Sequence, residues 1–323
     1  MYFLYILFAI LIFGILIMVH ELGHFLTAKL FKVKVNEFSI FMGPAIWKRQ
    51  RGETLYSLRC IPLGGYCAME GEDENSEDPR AFGNAKWWQR IIILFAGAGM
   101  NFLVGFLILV MLVGFSTGFS SISQPVVESI QSGSSLEGYL QPGDRLYEID
   151  GERVYVANDF TTLLSLDLAH NGDLHEVVVI RDGKKVTFPE LQVEARQLPS
   201  PTGVSLRYGL NLVAEPRNLG NVLSFSAQSA VNYARTVRLS LHMIFRGQVG
   251  LKEVSGPVGI VKHIADVGTQ AESVSIGLWN VLSLGAFIAI NLGIMNLLPI
   301  PALDGGRIVG VLLTSSIEGV TKK

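Results

Sequence analysis

Three stretches of this 323-residue chain contain no Asp, Glu, Lys or Arg: Tyr2–Val19, Ile91–Val127 and Val274–Leu303. A hydrocarbon core about 30 Å thick takes roughly 20 apolar residues at 1.5 Å each to cross as a helix. The second and third stretches exceed that length and the first nearly reaches it, so the chain reads as an integral membrane protein. Composition agrees. Hydrophobic residues make up 49% and charged residues only 17%, against about a quarter for a soluble domain, and the mean hydropathy is +0.39. Disorder is excluded on the same grounds. With 26 Lys plus Arg against 28 Asp plus Glu, no basic excess exists to neutralise phosphates, which argues against nucleic acid as a partner.

The first stretch has no basic residue before it and no small-x-small cleavage site after it, and it runs into His20-Glu21-Leu22-Gly23-His24. It reads as a retained helix, not as a signal peptide. Ten Lys or Arg fall within Lys29–Arg90, close to membrane ends, whereas the thirteen in residues 128–263 are spread over a segment twice as long. The positive-inside rule then puts the first loop in the cytoplasm and the long segment outside.

Between the first two stretches, Phe38–Phe41 and Thr54–Arg59 are strand-like, with a hairpin turn at Arg51-Gly52-Glu53 and a second bend at Gly64-Gly65. Strands beside a membrane helix expose unpaired backbone groups. Such an edge makes sense where it lines a protein cavity and another chain adds a strand to it. The acidic run Glu70, Glu72, Asp73, Glu74, Glu77 and Asp78 reads as a solvated loop, with gating as the lesser alternative. Lys86-Trp87-Trp88-Gln89-Arg90 has the composition of an interfacial belt. Cys60 and Cys67 lack CxxC spacing and are too few for a disulfide framework, so they read as small apolar residues.

Further on, Val126–Ile130, Arg145–Ile149, His175–Ile180 and Lys185–Phe188 alternate as strands of a small external domain. Its Gln141-Pro142-Gly143-Asp144-Arg145-Leu146 followed by Ile149-Asp150-Gly151 resembles a turn-strand-turn cassette of PDZ domains, with 158–168 as the groove helix. Residues 221–245 carry Arg235 and Arg238, with Arg246 just beyond, and read as an amphipathic helix on the outer membrane face. Ser255-Gly256-Pro257-Val258-Gly259-Ile260 reads as a break before the third stretch.

The chemistry concentrates in two places. On a helix, His20 and His24 share a face and can hold one Zn²⁺, with Glu21 placed to take a proton from an activated water. Ionisable groups at the end of an uncharged helix are costly and point to function. A catalytic zinc uses three protein ligands. Asp304 is the first charge after the third stretch and lies on the same membrane side as the histidines. Pro299 and Pro301 end the helix there, and Gly305-Gly306 permits the carboxylate to turn inward.

HELGH, the PGD cassette, SGPVGI and NLGIMNLLPIPALDGGR together resemble the site-2 protease family of intramembrane zinc metalloproteases. Within that family the chain is similar to the bacterial regulators of sigma-E proteolysis, in a single-PDZ form. The resemblance implies that His20, His24 and Asp304 hold Zn²⁺, that Glu21 is the general base, and that Asn291 and Asn296 hold substrate. It implies a membrane-associated hairpin over Val33–Met69 that takes up substrate by strand addition. Its implied substrates are single-span membrane proteins, such as anti-sigma factors first cut outside by a site-1 type protease, or remnant signal peptides. The implied setting is the lipid bilayer of a bacterial inner membrane, with the active site toward the cytoplasm.

The expected fold is therefore a polytopic α-helical membrane protein with a membrane-associated β-hairpin and an inserted extracytoplasmic PDZ domain. Its expected order is a first transmembrane helix (1–28), a cytoplasmic-side loop (29–90), a second helix (91–118) and the PDZ domain (122–196). An extracytoplasmic amphipathic helical segment (197–273), a third helix (274–303) and the LDGG motif with an incomplete fourth helix (304–323) complete it. Two departures from the family are expected to matter: one PDZ copy where many relatives carry two, and a short stretch after LDGG. A membrane-anchored PDZ adaptor or an inactive truncated protease are the competing readings. A prenyl-protein protease is disfavoured because no ExxxH-type helix supplies its glutamate ligand. The PDZ segment either recognises a cut terminus or filters bulky substrates; deleting 124–194 separates these readings.

Overall fold

The opening apolar residues form a single helix, α1 (Tyr2–Leu30). One flank is buried at Tyr5, Ala9 and Leu16, while Phe3, Leu4, Leu7 and Leu11 are exposed. The computed structural model describes residues 2–115, 122–166, 174–200, 203–247, 250, 256–271 and 273–321. It divides into two units, 1–112 with 233–323, and 113–232.

After α1 come β1 (Val35–Arg51) and β2 (Thr54–Met69), joined at Gly52-Glu53. Both strands run well beyond the short pieces expected. Gly64-Gly65 lies inside β2 instead of ending it, with Gly64 at φ +94° absorbing the irregular register. Residues Glu37–Ile40 of β1 stand opposite Ala68–Gly65 and also opposite Leu55–Leu58, so β2 flanks β1 twice. The other edge of Tyr66–Met69 turns toward α1, where the Cys67 N–H donates to Glu21 Oε2 at 3.1 Å.

The acidic run is a loop, as expected, with Asp73, Glu74 and Glu77 exposed, and others of its carboxylates are paired. Lys34 pairs with Glu70 and Asp78, Ser76 donates to Glu70, and Arg307 pairs with Glu72 and Asp73. Next, α2 (Trp87–Phe115) begins at the tryptophans of the expected interfacial belt, both exposed.

The second unit is built on β3 (Ile122–Ile130), β4 (Arg145–Ile149), β5 (Glu152–Arg153), α3 (Asp159–Leu166), β6 (Leu174–Arg181) and β7 (Lys184–Gln192). It continues with β8 (Arg196–Ser200), β9 (Gly203–Arg207) and β10 (Leu210–Glu215). Its main sheet has the order β10-β3-β4-β6-β7, with β5 on β4, and among the described residues β8 pairs with β9 alone. Gly143 at φ +93° makes the turn of the PGD cassette, and the buried Asp144 beside it receives Arg181. Asp167 and Leu168 of the expected groove helix lie outside the described residues. The expectation of helix after residue 196 is corrected by β8, β9 and β10. Pro199 suits a strand better than a helix interior, and β10 covers the open edge of β3.

The chain returns through α4 (Leu219–Phe245) and α5 (Pro257–Thr269). Of the SGPVGI segment, Ser255 lies outside the described residues, and Pro257 starts a helix instead of breaking one. A missing N–H costs nothing at the first helical turn. Ile264 and Ala265 of α5 share a buried cluster with Tyr5, Ala9 and Leu16 of α1 and with Val281, Ile288 and Ala289 farther on. Those last three belong to α6 (Val274–Asn296), capped at its start by Ser273, and α7 (Asp304–Thr321) closes the first unit. Among the described residues, α1, α2 and α6 are long and apolar enough to cross a membrane.

Candidate metal centre

One helical turn of α1 separates His20 from His24, and both rings are buried. The third group comes from the far end of the sequence. Pro299 and Pro301 follow the end of α6, Ala302 takes φ +75°, and α7 begins at Asp304. A side chain at Gly305 would lie 2.3 Å from the Leu297 and Leu298 carbonyl oxygens, and one at Gly306 2.3 Å from that of Ile300. Only glycines let the first turn of α7 fold back this closely over the preceding loop, and that return aims Asp304 at α1.

Asp304 Oδ2 lies 3.1 Å from His20 Nε2 and 3.3 Å from His24 Nε2, and the two Nε2 atoms are 3.2 Å apart. A tetrahedral ion with bonds of about 2.0–2.1 Å holds its ligand atoms about 3.3 Å from one another. The triangle therefore has the dimensions a zinc ion requires. Its chemistry fits too: Asp304 Oδ2 is buried without a hydrogen-bond partner among the described residues. Three lone-pair-bearing atoms converging on one point repel each other unless a cation lies between them. His24 Nδ1 is engaged separately by the Ile93 carbonyl at 2.8 Å, which keeps Nε2 turned to the cluster.

A cavity of about 510 Å³ opens on this triangle. Glu21, Asn296 and the β2 edge from Tyr66 to Met69 line it, with Glu72 and Arg307 at another part of its wall. Glu21, next to His20 on α1, accepts the Cys67 amide. Burial, reinforced by the Glu21 charge, pushes the Cys67 thiol far above the ordinary thiol range, so the cysteine is no rival nucleophile. Burial also raises the Glu72 carboxyl, against the pull of Arg307.

Of the sequence-predicted residues, His20, Glu21, His24, Asn296 and Asp304 come together, and Asn291 does not. Five residues before Asn296 on α6, it points about 140° away around the helix and does not line the cavity. Sequence reasoning missed two residues of α2. A Cβ at Gly97 would lie 2.4 Å from His24 Nε2 and 2.7 Å from His20 Cε1, so the glycine makes room for both rings. Asn101, fully buried, places its amide 3.3 Å from His20 Nδ1. The available signal was a lone amide one helical turn after a glycine in an otherwise apolar run.

The model of peptidase family M50 matches residues 8–322. A Fusobacterium nucleatum protein carrying a zinc metalloprotease designation is 36% identical over 318 residues, covering 98% of this chain and 90% of that protein. The zinc metalloprotease RasP of Bacillus licheniformis is 29% identical over 391 residues, covering 96% and 90%. The regulator of sigma-W protease RasP of Bacillus subtilis is 28% identical over 391 residues, covering 96% and 89%. The chain belongs to peptidase family M50, and it is a metalloprotease whose metal is zinc.

Proposed function

We propose that this M50 metalloprotease hydrolyses peptide bonds within the membrane-spanning segments of single-span membrane proteins. Anti-sigma factors already cut outside by a site-1 type protease, or remnant signal peptides, fit this reading. The sigma-W regulator named for the Bacillus subtilis relative supports the first class. In this reading His20, His24 and Asp304 hold the zinc. When bound, the ion supplies a Lewis acid that acidifies a water molecule and polarises the scissile carbonyl.

Everything else falls to the chain's own side chains. Glu21, in the cavity wall beside the triangle, takes the proton from the attacking water and passes it to the leaving amine. A helical substrate hides its carbonyls in its own hydrogen bonds, so it must first be drawn out. The Tyr66–Met69 edge of β2, within the Val33–Met69 hairpin expected to take up substrate, is the place for an added strand. Asn296, which also lines the cavity, orients the extended peptide. The mixed α/β second unit, with its PGD turn and α3, is read as a single PDZ domain on the extracytoplasmic side. The metal centre faces the cytoplasmic side of a bacterial inner membrane.

One observation carries this reading: an open triangle of zinc-type ligands with the Glu21 carboxylate and the Tyr66–Met69 strand edge in the same cavity wall. The test is cleavage of a labelled single-span peptide in detergent by the parent and by Glu21→Gln, with and without chelator. The parent alone should cut, chelation should stop it, and the variant should lose at least about 100-fold in rate while keeping its zinc. Turnover retained by Glu21→Gln, or unaffected by chelation, would refute the assignment.

A further inference from the structure

The two histidines are supported by different groups, and the difference exposes a role for Asn101. In a neutral imidazole one nitrogen offers a lone pair and the other carries the hydrogen. If Nε2 of each ring faces the metal, each Nδ1 carries hydrogen and needs an acceptor. For His24 that acceptor is the Ile93 carbonyl of α2, at 2.8 Å. For His20 the neighbours are two amides, with Asn101 Nδ2 and Asn296 Nδ2 each 3.3 Å from Nδ1. Both present donors to an atom that must itself donate.

A half-turn of a side-chain amide exchanges its nitrogen and oxygen at unchanged shape, and the direction follows from the hydrogen bonds around it. The surroundings distinguish the two amides. Asn101 is fully buried and its Oδ1 has no partner among the described residues. Asn296 lines the cavity. Turning Asn101 gives the Nδ1–H an acceptor and the orphaned oxygen a partner, with the amide hydrogens moved to the place the oxygen held, whereas turning Asn296 alone leaves the buried Asn101 oxygen orphaned.

We infer that Asn101 is the positioning residue of His20: its side-chain carbonyl accepts the Nδ1–H, fixes the tautomer and aims Nε2 at the metal. Asn296, whose Nδ2 also lies 3.3 Å from Nδ1, is then not the acceptor that His20 needs. Helix α2 then supports both ligands, through Ile93 and Asn101 eight residues apart, with Gly97 between them leaving space for the rings. The inference rests on His20 being a zinc ligand, as proposed above.

The test uses the full chain in detergent. Zinc affinity is measured by chelator competition, and the d–d spectrum is recorded with Co²⁺ in place of zinc. Asn101→Leu should weaken zinc binding by about 10- to 100-fold and alter the cobalt spectrum. Asn101→Asp, which restores an acceptor, should return both toward the parent. Asn296→Leu should raise KM and leave zinc affinity at the parental level. If Asn101→Leu does not fold, judged by elution and circular dichroism, Asn101→Ala takes its place as the variant without an acceptor. Unchanged affinity without the acceptor, equal loss in Asn101→Asp, or loss in Asn296→Leu instead would overturn the inference. Any of these with chelator-sensitive cleavage intact in the parent would leave the proteolytic reading standing. Failure of the parent to bind zinc would remove both.

Discussion

Each unit buries histidine against aspartate, and the two arrangements differ in what else their atoms touch. In the sheet unit, His175 Nδ1 lies 2.7 Å from Asp150 Oδ2, while Asp150 Oδ1 receives the Glu176 N–H at 2.9 Å. Both carboxylate oxygens are engaged, and the pair ties the Asp150-Gly151 turn to β6. Asp144 is similarly used up, with both oxygens taken by Arg181 at 2.8 and 2.7 Å. In the helical unit, Asp304 Oδ2 faces two Nε2 atoms and has no hydrogen-bond partner among the described residues. Burial and residue type are common to both places. Whether the local fold exhausts the bonding capacity of the group separates a structural tie from a metal site.

The contrast can be broken from either side. Asp304→Ala should have the largest effect, reducing zinc affinity by more than the roughly 100-fold that loss of an outer partner costs. Chelator competition measures it, and hydrogen exchange in β4 and β6 should stay as in the parent. Gly97→Ala should come next, at about 10- to 100-fold, because its methyl would occupy the place of His24. An unaltered zinc affinity there would mean that α2 does not confine the rings. Asp150→Ala should act in the opposite sense, leaving zinc affinity alone while stripping acceptors from His175 and the Glu176 amide. A loss of about 1–3 kcal/mol would speed amide exchange in β4 and β6 by about 5- to 150-fold. A fall in zinc affinity would instead erase the distinction between the units.

The smallest effect belongs to Arg307→Ala. Its exposed ion pair with Asp73 contributes at most about 1 kcal/mol. Burial already raises the Glu72 carboxyl and Arg307 opposes that shift. Without the cation Glu72 should hold its proton to a higher pH, as infrared titration of the carboxyl band can show. An unmoved or lowered titration would mean that Arg307 does not act on Glu72.

The parts legible in the sequence are those where a residue type conflicts with its surroundings. His20, Glu21 and His24 stand out because an uncharged helix makes them conspicuous, and Asp304 because it ends a long silence of charge. Asn101 was overlooked because one amide in an apolar run carries no periodicity, and its meaning depends on a ring 81 positions away. Asn291 stands apart from the cavity that Asn296 lines, a separation that follows from the helical angle and that family pattern does not show. The extent of the hairpin, Val33–Met69, was legible through the family resemblance, while the residue pattern alone gave shorter strands because Gly64-Gly65 breaks alternation in the chain and only bends the strand in space. The opening of α5 was misjudged because a proline can stand at either end of a helix, and only the tertiary packing of Ile264 and Ala265 decides between them. The strands after residue 196 respond to an open edge on β3, a tertiary demand with no local signature.

The three groups of the triangle come from α1 and α7, at positions 20, 24 and 304. As a ribosome extends this chain, the two histidines and Glu21 enter the membrane early and wait through some 280 residues for their third companion. Until Asp304 has been synthesised and turned back by its glycines, the nascent chain holds a motif without a metal-grade site. In the proposed reading the site is complete only once the segment that carries Asp304 has been added.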